Sequence, residues 1–140
     1  MRIAVDTNIL IGALTRPHGT GARILRAWRE GRLELAASEA TLREAELVLG
    51  GGWLARLSSR ADVQALLDGL RRECVMVDAP RIPGLRLKDA GDARLVEAAV
   101  AAEARYLVTA DREVLLMRGY GPTEFVTPAE LARRMDAGGW

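Results

Sequence analysis

Residues 2–11 read Arg2-Ile3-Ala4-Val5-Asp6-Thr7-Asn8-Ile9-Leu10-Ile11. The first four are short, mostly apolar and fit a buried strand that ends at Asp6. Thr7 and Asn8 are good helix caps, so a helix carrying Ile9, Leu10 and Leu14 should begin there. A strand that meets an acid and turns at once into a helix is the opening unit of an alternating α/β chain. It also leaves a carboxylate at the strand's C-terminal end, where an open parallel sheet binds ligands.

Read outward from this stretch, the alternation continues. Pro17, Gly19 and Gly21 mark a loop. Residues 22–29 place Ile24, Leu25 and Trp28 at helical spacing, and Gly31 stops that helix. A second strand is expected at 33–37. Ser38 then caps a helix running to about residue 49, where Gly50-Gly51-Gly52 breaks it. The capping-box position three after Ser38 holds Thr41 rather than Glu or Gln. A short helical turn at 53–57 precedes a longer helix at 61–72, with Val63, Leu66, Leu67 and Leu70 on one side. A third strand is expected at 74–77, then a loop at 79–88 holding Pro80, Pro83 and Gly84. A helix follows from 89–92 to about 104. Residues 106–109 read as a fourth strand, 112–117 as a short helix, 119–122 as a loop and 124–126 as a fifth strand. Thr127-Pro128 opens the last helix as a cap followed by a first-turn proline. The expectation is a three-layer α/β/α fold with a central, mainly parallel, five-stranded sheet. It forms one domain over 1–137, with a frayed tail at 138–140.

Composition narrows the chemistry. The chain has 140 residues, of which 49% are apolar, enough for a core without disulfides. Cys74 and His18 are the only residues of their kinds, so a zinc site is excluded and a Ser-His-Asp relay would rest on His18 alone. Cytoplasmic residence is expected, with Cys74 a small buried apolar residue. No cleavable leader and no stretch of membrane-spanning length is apparent. Net charge is +1, with nineteen arginines against Lys88 alone. Arginine suits phosphate contacts, although the codon bias of a GC-rich genome is the better explanation of the excess. Asn8 and Gln64 are the only side-chain amides, which fits thermophily or the same bias.

Four acids fall where the strand ends should converge. Asp6 follows the first strand directly, and Asp111 lies just beyond the fourth. Asp92 sits in the first turn of the helix packed before that fourth strand, where a carboxylate is favoured. Glu44 lies about a turn and a half into the helix after the second strand. Crowded carboxylates must separate, take up protons or bind a cation. With oxygen donors only, that cation should be Mg²⁺ or Mn²⁺, suited to activating water against a phosphodiester. Thr7, Asn8 and Thr109 offer neutral hydrogen bonds to hold the acids. Each acid also has a plain structural reading: Asp6 as a loop acid, Asp92 or Asp111 as a helix cap, Glu44 as part of a solvated face with Glu39 and Glu46. On a helical wheel Glu46 lies closer than Glu44 to Leu42, Ala45 and Leu49, so periodicity does not single out Glu44.

The order of these segments resembles the PIN-domain ribonucleases. Ile3-Ala-Val-Asp6-Thr7-Asn8-Ile-Leu-Ile11 is similar to that family's opening motif. Ser38-x3-Leu42-x-Glu44-x3-Val48-Leu49 resembles the second, Asp89-Ala90-Gly91-Asp92-x2-Leu95-x2-Ala98 the third, and Tyr106-Leu-Val-Thr109-Ala110-Asp111 the fourth. Val126-Thr127-Pro128-Ala-Glu-Leu131 resembles the end of the branch described as toxins of type II toxin–antitoxin pairs. The resemblance places the catalytic and metal-holding acids on Asp6, Glu44, Asp92 and Asp111, and a secondary acidic position on Asp89. It implies Mg²⁺- or Mn²⁺-dependent cleavage of RNA, a homodimer and a small antitoxin partner. Ala90 departs from the proline usual in the third motif, and Gly50-Gly51-Gly52 from a more polar stretch.

Other readings compete. A haloacid-dehalogenase-like phosphatase needs a second acid where Asn8 stands. A receiver domain needs a lysine after its last strand. An RNA-processing housekeeping nuclease and a non-catalytic PIN-like binding module both remain compatible with the residues. With net charge so small, RNA affinity should come from arginines near the acidic edge, for which Arg16, Arg23, Arg43, Arg86, Arg112 and Arg118 are the candidates. Trp28, Trp53 and Leu54 are read either as a contact surface or as core.

Overall fold

The computed structural model describes residues 1–138. Its first strand, β1 (Arg2–Val5), hands over at Asp6 to α1 (Thr7–Thr15), and α2 (Thr20–Arg29) returns against it. The two helices approach closely because Gly21 has no side chain: a Cβ there would lie 2.9 Å from the Ile9 carbonyl oxygen. β2 (Glu34–Ala37), α3 (Glu39–Leu49), a 3₁₀ turn (Gly52–Arg56) and α4 (Arg60–Glu73) follow, then β3 (Val75–Met76) and α5 (Ala90–Ala101). β4 (Tyr106–Val108), α6 (Arg112–Leu116), β5 (Gly119–Tyr120), β6 (Thr123–Val126) and α7 (Pro128–Asp136) complete the described chain.

The sheet order is β3-β2-β1-β4-β6-β5. All pairings are parallel except β5 with β6. The sheet thus has six strands where five were expected, and the sixth comes from the stretch read as a loop at 119–122. Gly121, at φ +56, supplies the left-handed residue that lets Tyr120 turn back onto Thr123.

Strand alternation builds two cores. Ile3, Leu35, Tyr106, Val108 and Val126 point to the layer holding α1, α2, α3, α4 and α7. Ala4, Leu107 and Phe125 point to the other layer, against Leu95, Val96 and Ala99 of α5 and Val114 of α6. The three-layer arrangement follows from this period of two. Trp28 and Leu54 are buried, so they belong to the core; Trp53 is 47% exposed. Gly138 closes α7 at φ +70, and the rest of the expected tail, 139–140, lies outside the described residues.

Side-chain caps mark where the α-helices begin, except α2, which follows Gly19. Ser38 and Thr41 form a reciprocal capping box, with Thr41 doing what Glu or Gln does elsewhere. Asp6, Asp89 and Asp111 cap α1, α5 and α6. The long segment between β3 and α5 is tied down at two points. Glu97 Oε2 accepts from the Ile82 N–H at 2.9 Å, and Glu113 Oε1 from the Lys88 N–H at 2.8 Å.

Candidate active site

The parallel strands β3, β2, β1, β4 and β6 end at one edge, and the helix starts gather there. Asp6 leaves β1 with its backbone N–H donating to the Val108 carbonyl at 3.0 Å. Its Oδ1 accepts from the Asn8 N–H at 3.2 Å, and its Oδ2 from the Thr109 hydroxyl at 3.0 Å. Thr109 is fully buried. The same hydroxyl oxygen accepts from the Asp111 N–H at 3.0 Å, while Asp111 Oδ1 accepts from the Val114 N–H at 3.1 Å. One threonine thereby holds the exits of β1 and β4 together and braces the Asp6 carboxylate.

Asp89 Oδ1 accepts from the Gly91 N–H at 2.7 Å and the Asp92 N–H at 3.4 Å. Asp89 is therefore the cap of α5, and Asp92, in the first turn, is free of that duty. Gly91 lets α3 and α5 share the site: a Cβ there would lie 2.6 Å from Glu44 Oε1. Sequence reasoning passed over Gly91 as a site residue. The available signal was a glycine between two acids in a helix's first turn, where it disfavours the helix. Glu44 turns toward this edge. Glu46 instead pairs with Arg71 of α4, its Oε2 accepting from Arg71 Nε at 2.9 Å.

Asp6, Glu44, Asp89, Asp92 and Asp111 all line one cavity of about 170 Å³, together with Thr7 and Asn8; its floor is apolar, with Leu10, Leu42 and Leu95 among others. Among the described residues no arginine or lysine lines it. Burial and the excess negative charge together raise two of these carboxyls. Burial, then Asp111, Asp89, Asp6 and Glu44, push Asp92 up to about 7. Burial, then Asp89 and Asp6, raise Glu44.

The arginines proposed from sequence scatter. Arg16 lines a groove that begins at Asn8. Arg23 is ion-paired with Asp136. Arg43 lies 3.6 Å from Glu39 on the outer face of α3. Arg86 is exposed on the tethered segment, and Arg112 is exposed beside Asp111. Arg118 lies by the β5–β6 hairpin, its carbonyl accepting from the Phe125 N–H. Lys88, adjacent to Asp89 and exposed, was not among the candidates.

The cavity's donors suit a hard cation. They are carboxylate and hydroxyl oxygens; the only sulfur, Cys74, has its thiol pushed up to about 11 by burial and so stays protonated. Among the described residues no three acids stand in the spacing of a ready-made ion cage. The fit therefore rests on donor chemistry and unopposed charge. Mg²⁺ needs only one or two carboxylates, since it keeps much of its water.

A profile of the PIN-domain family matches residues 2–113. Among solved structures, VapBC2 from Rickettsia felis, bound to a DNA fragment from its promoter, aligns with 18% identity and a TM-score of 0.59, covering 91% of this chain and 98% of that one. FitAB bound to the IR36 DNA fragment aligns with 18% identity and a TM-score of 0.58, covering 90% and 94%. At this identity the likeness is one of fold. No curated protein matches the chain significantly.

Proposed function

The chain belongs to the PIN-domain family, and from that premise we propose that it is a single-domain, Mg²⁺- or Mn²⁺-dependent ribonuclease, the toxin of a toxin–antitoxin pair. The observation that carries the reading is the cavity in which five acids meet with no cationic side chain among the described residues. Asp6, Glu44, Asp92 and Asp111 would hold the ion. When bound, a divalent cation supplies Lewis acidity, easing deprotonation of a water and offsetting charge on the leaving oxygen.

The chain's own residues do the positioning. Thr109 fixes Asp6 and Asp111 relative to each other. Asp89, committed to capping α5, presents Asp92. With no cation bound, burial and the neighbouring acids push Asp92 up to about 7; a bound cation would relieve that crowding and keep the carboxylate ionised as a ligand. Lys88 and Arg112, each exposed and next in sequence to a lining acid, would serve as phosphate contacts. The toxin role draws on the likeness to toxin–antitoxin structures and on the terminal Val126-Thr127-Pro128 pattern. It implies a small antitoxin encoded beside this chain, and a homodimer.

The test is cleavage of labelled single-stranded RNA in Mg²⁺ or Mn²⁺. Glu44→Gln should abolish cleavage and Glu46→Gln should leave it near wild type, because Glu46 is engaged by Arg71. Loss in Glu46→Gln with Glu44→Gln active would overturn the site, and no cleavage by wild type in either metal would overturn the activity.

A further inference from the structure

A second groove starts where the acid cavity ends. Asn8 lines both, and Ala110, between Thr109 and Asp111, lines the new one. From there it follows α1 past Gly12 to Arg16, bordered by Gly19 and Pro128, with a volume of about 320 Å³. Asn8 to Arg16 spans about 12 Å along a helix.

Gly12 is the informative residue. It lies inside α1, where glycine disfavours the helix relative to alanine. The fold does not require it: a Cβ at Gly12 meets nothing within 4 Å, and its φ is not left-handed. Gly21, on the other wall, is by contrast demanded by helix packing. A side chain at position 12 would project into open groove, so what the glycine preserves is the groove. At the far end the Arg16 guanidinium is exposed and has no partner among the described residues, unlike Arg23, which Asp136 occupies.

We propose that this glycine-floored groove along α1 is the track for a single-stranded nucleic acid next to the scissile bond, with Arg16 as its phosphate contact. The proposal rests on reading the acid cavity as the nucleolytic centre. The groove gives a strand leaving that centre a path without side-chain obstruction. Arg16 supplies positive charge away from the carboxylates, where a phosphate is not repelled by them.

The experiment measures binding of a short fluorescent single-stranded RNA by anisotropy, across salt, to the full chain. Gly12→Leu should weaken binding about tenfold, the effect of an obstruction that the groove does not absorb. Arg16→Gln should lower the log–log salt slope by about 0.7, one phosphate contact on a single strand. Gly12→Ala controls for the fold: it should raise the melting temperature, with binding much less affected. RNA affinity unchanged in Gly12→Leu, or a salt slope unchanged in Arg16→Gln, overturns the track. So does a Gly12→Leu variant that changes only the molecular mass in solution, since the groove would then be a protein contact. Binding that responds as expected in a chain that cleaves no RNA keeps the track and removes the nuclease; cleavage with indifferent Gly12 and Arg16 variants does the reverse.

Discussion

Asp6 and Asp111 each do two jobs with one side chain. Each caps a helix through one carboxylate oxygen, and that cap orients the group into the cavity. The plain structural reading of these aspartates and the functional one are therefore compatible. Asp92 differs, because Asp89 caps α5 in its place. Its raised pKa has a consequence for stability. An unfolded chain loses this proton near 4 and the folded protein holds it to about 7, so folding stability falls as pH rises through that window and stays low above it. Asp92→Asn, with chelator present, should raise the melting temperature by about 3 °C near pH 8, corresponding to about 1 kcal/mol after allowing for solvent screening. Near pH 4 it should do little. Parallel melting-temperature profiles for wild type and variant would contradict this. The place of Asp6 and Asp111 at the strand-end cavity was legible because they follow strands. Glu44 was not legible from periodicity, since what separates it from Glu46 is Arg71, twenty-five residues away, and the open space that Gly91 leaves.

Among the elements, those that begin with a capping side chain were the most legible. Ser38, Asp89, Asp111 and Thr127 each start a helix where sequence places one. β5 was missed for a physical reason: two residues, Gly119 and Tyr120, cannot display a period, and their pairing depends on left-handed conformations at Arg118 and Gly121. The segment between β3 and α5 was correctly read as irregular, but its tethers were invisible, because Glu97 looks like one more polar position of α5. Its side chain is buried against Arg94 Nε at 2.6 Å while Oε2 holds Ile82. Glu97→Ala would strand Arg94 and the Ile82 N–H together. It should cost about 3 kcal/mol in urea unfolding, and an unchanged midpoint would show that the tether is dispensable.

At the scale of the whole molecule, the sheet gathers acids at one edge while several arginines pair elsewhere: Arg23 with Asp136, Arg71 with Glu46, and Arg134 with Glu124. The small net charge thus conceals a strongly uneven distribution, which composition does not reveal. Among the described residues no helix is long and apolar enough to cross a membrane. Leu47, Trp53 and Leu57, at 74%, 47% and 59% exposure, come from α3, the 3₁₀ turn after it and the residue that ends that turn. Exposed apolar side chains of this size concentrate at contact surfaces, and light scattering should give the mass of a dimer; a monomer across the micromolar range would contradict the homodimer. In the reading proposed above, carboxylates from four elements form one divalent-cation site. Calorimetric titration of Mn²⁺ into the purified chain tests it most directly. One carboxylate fewer lowers the charge that attracts the ion, so wild type should bind saturably and Asp6→Asn and Asp111→Asn should each bind far more weakly. Equal affinity in wild type and both variants would contradict the account.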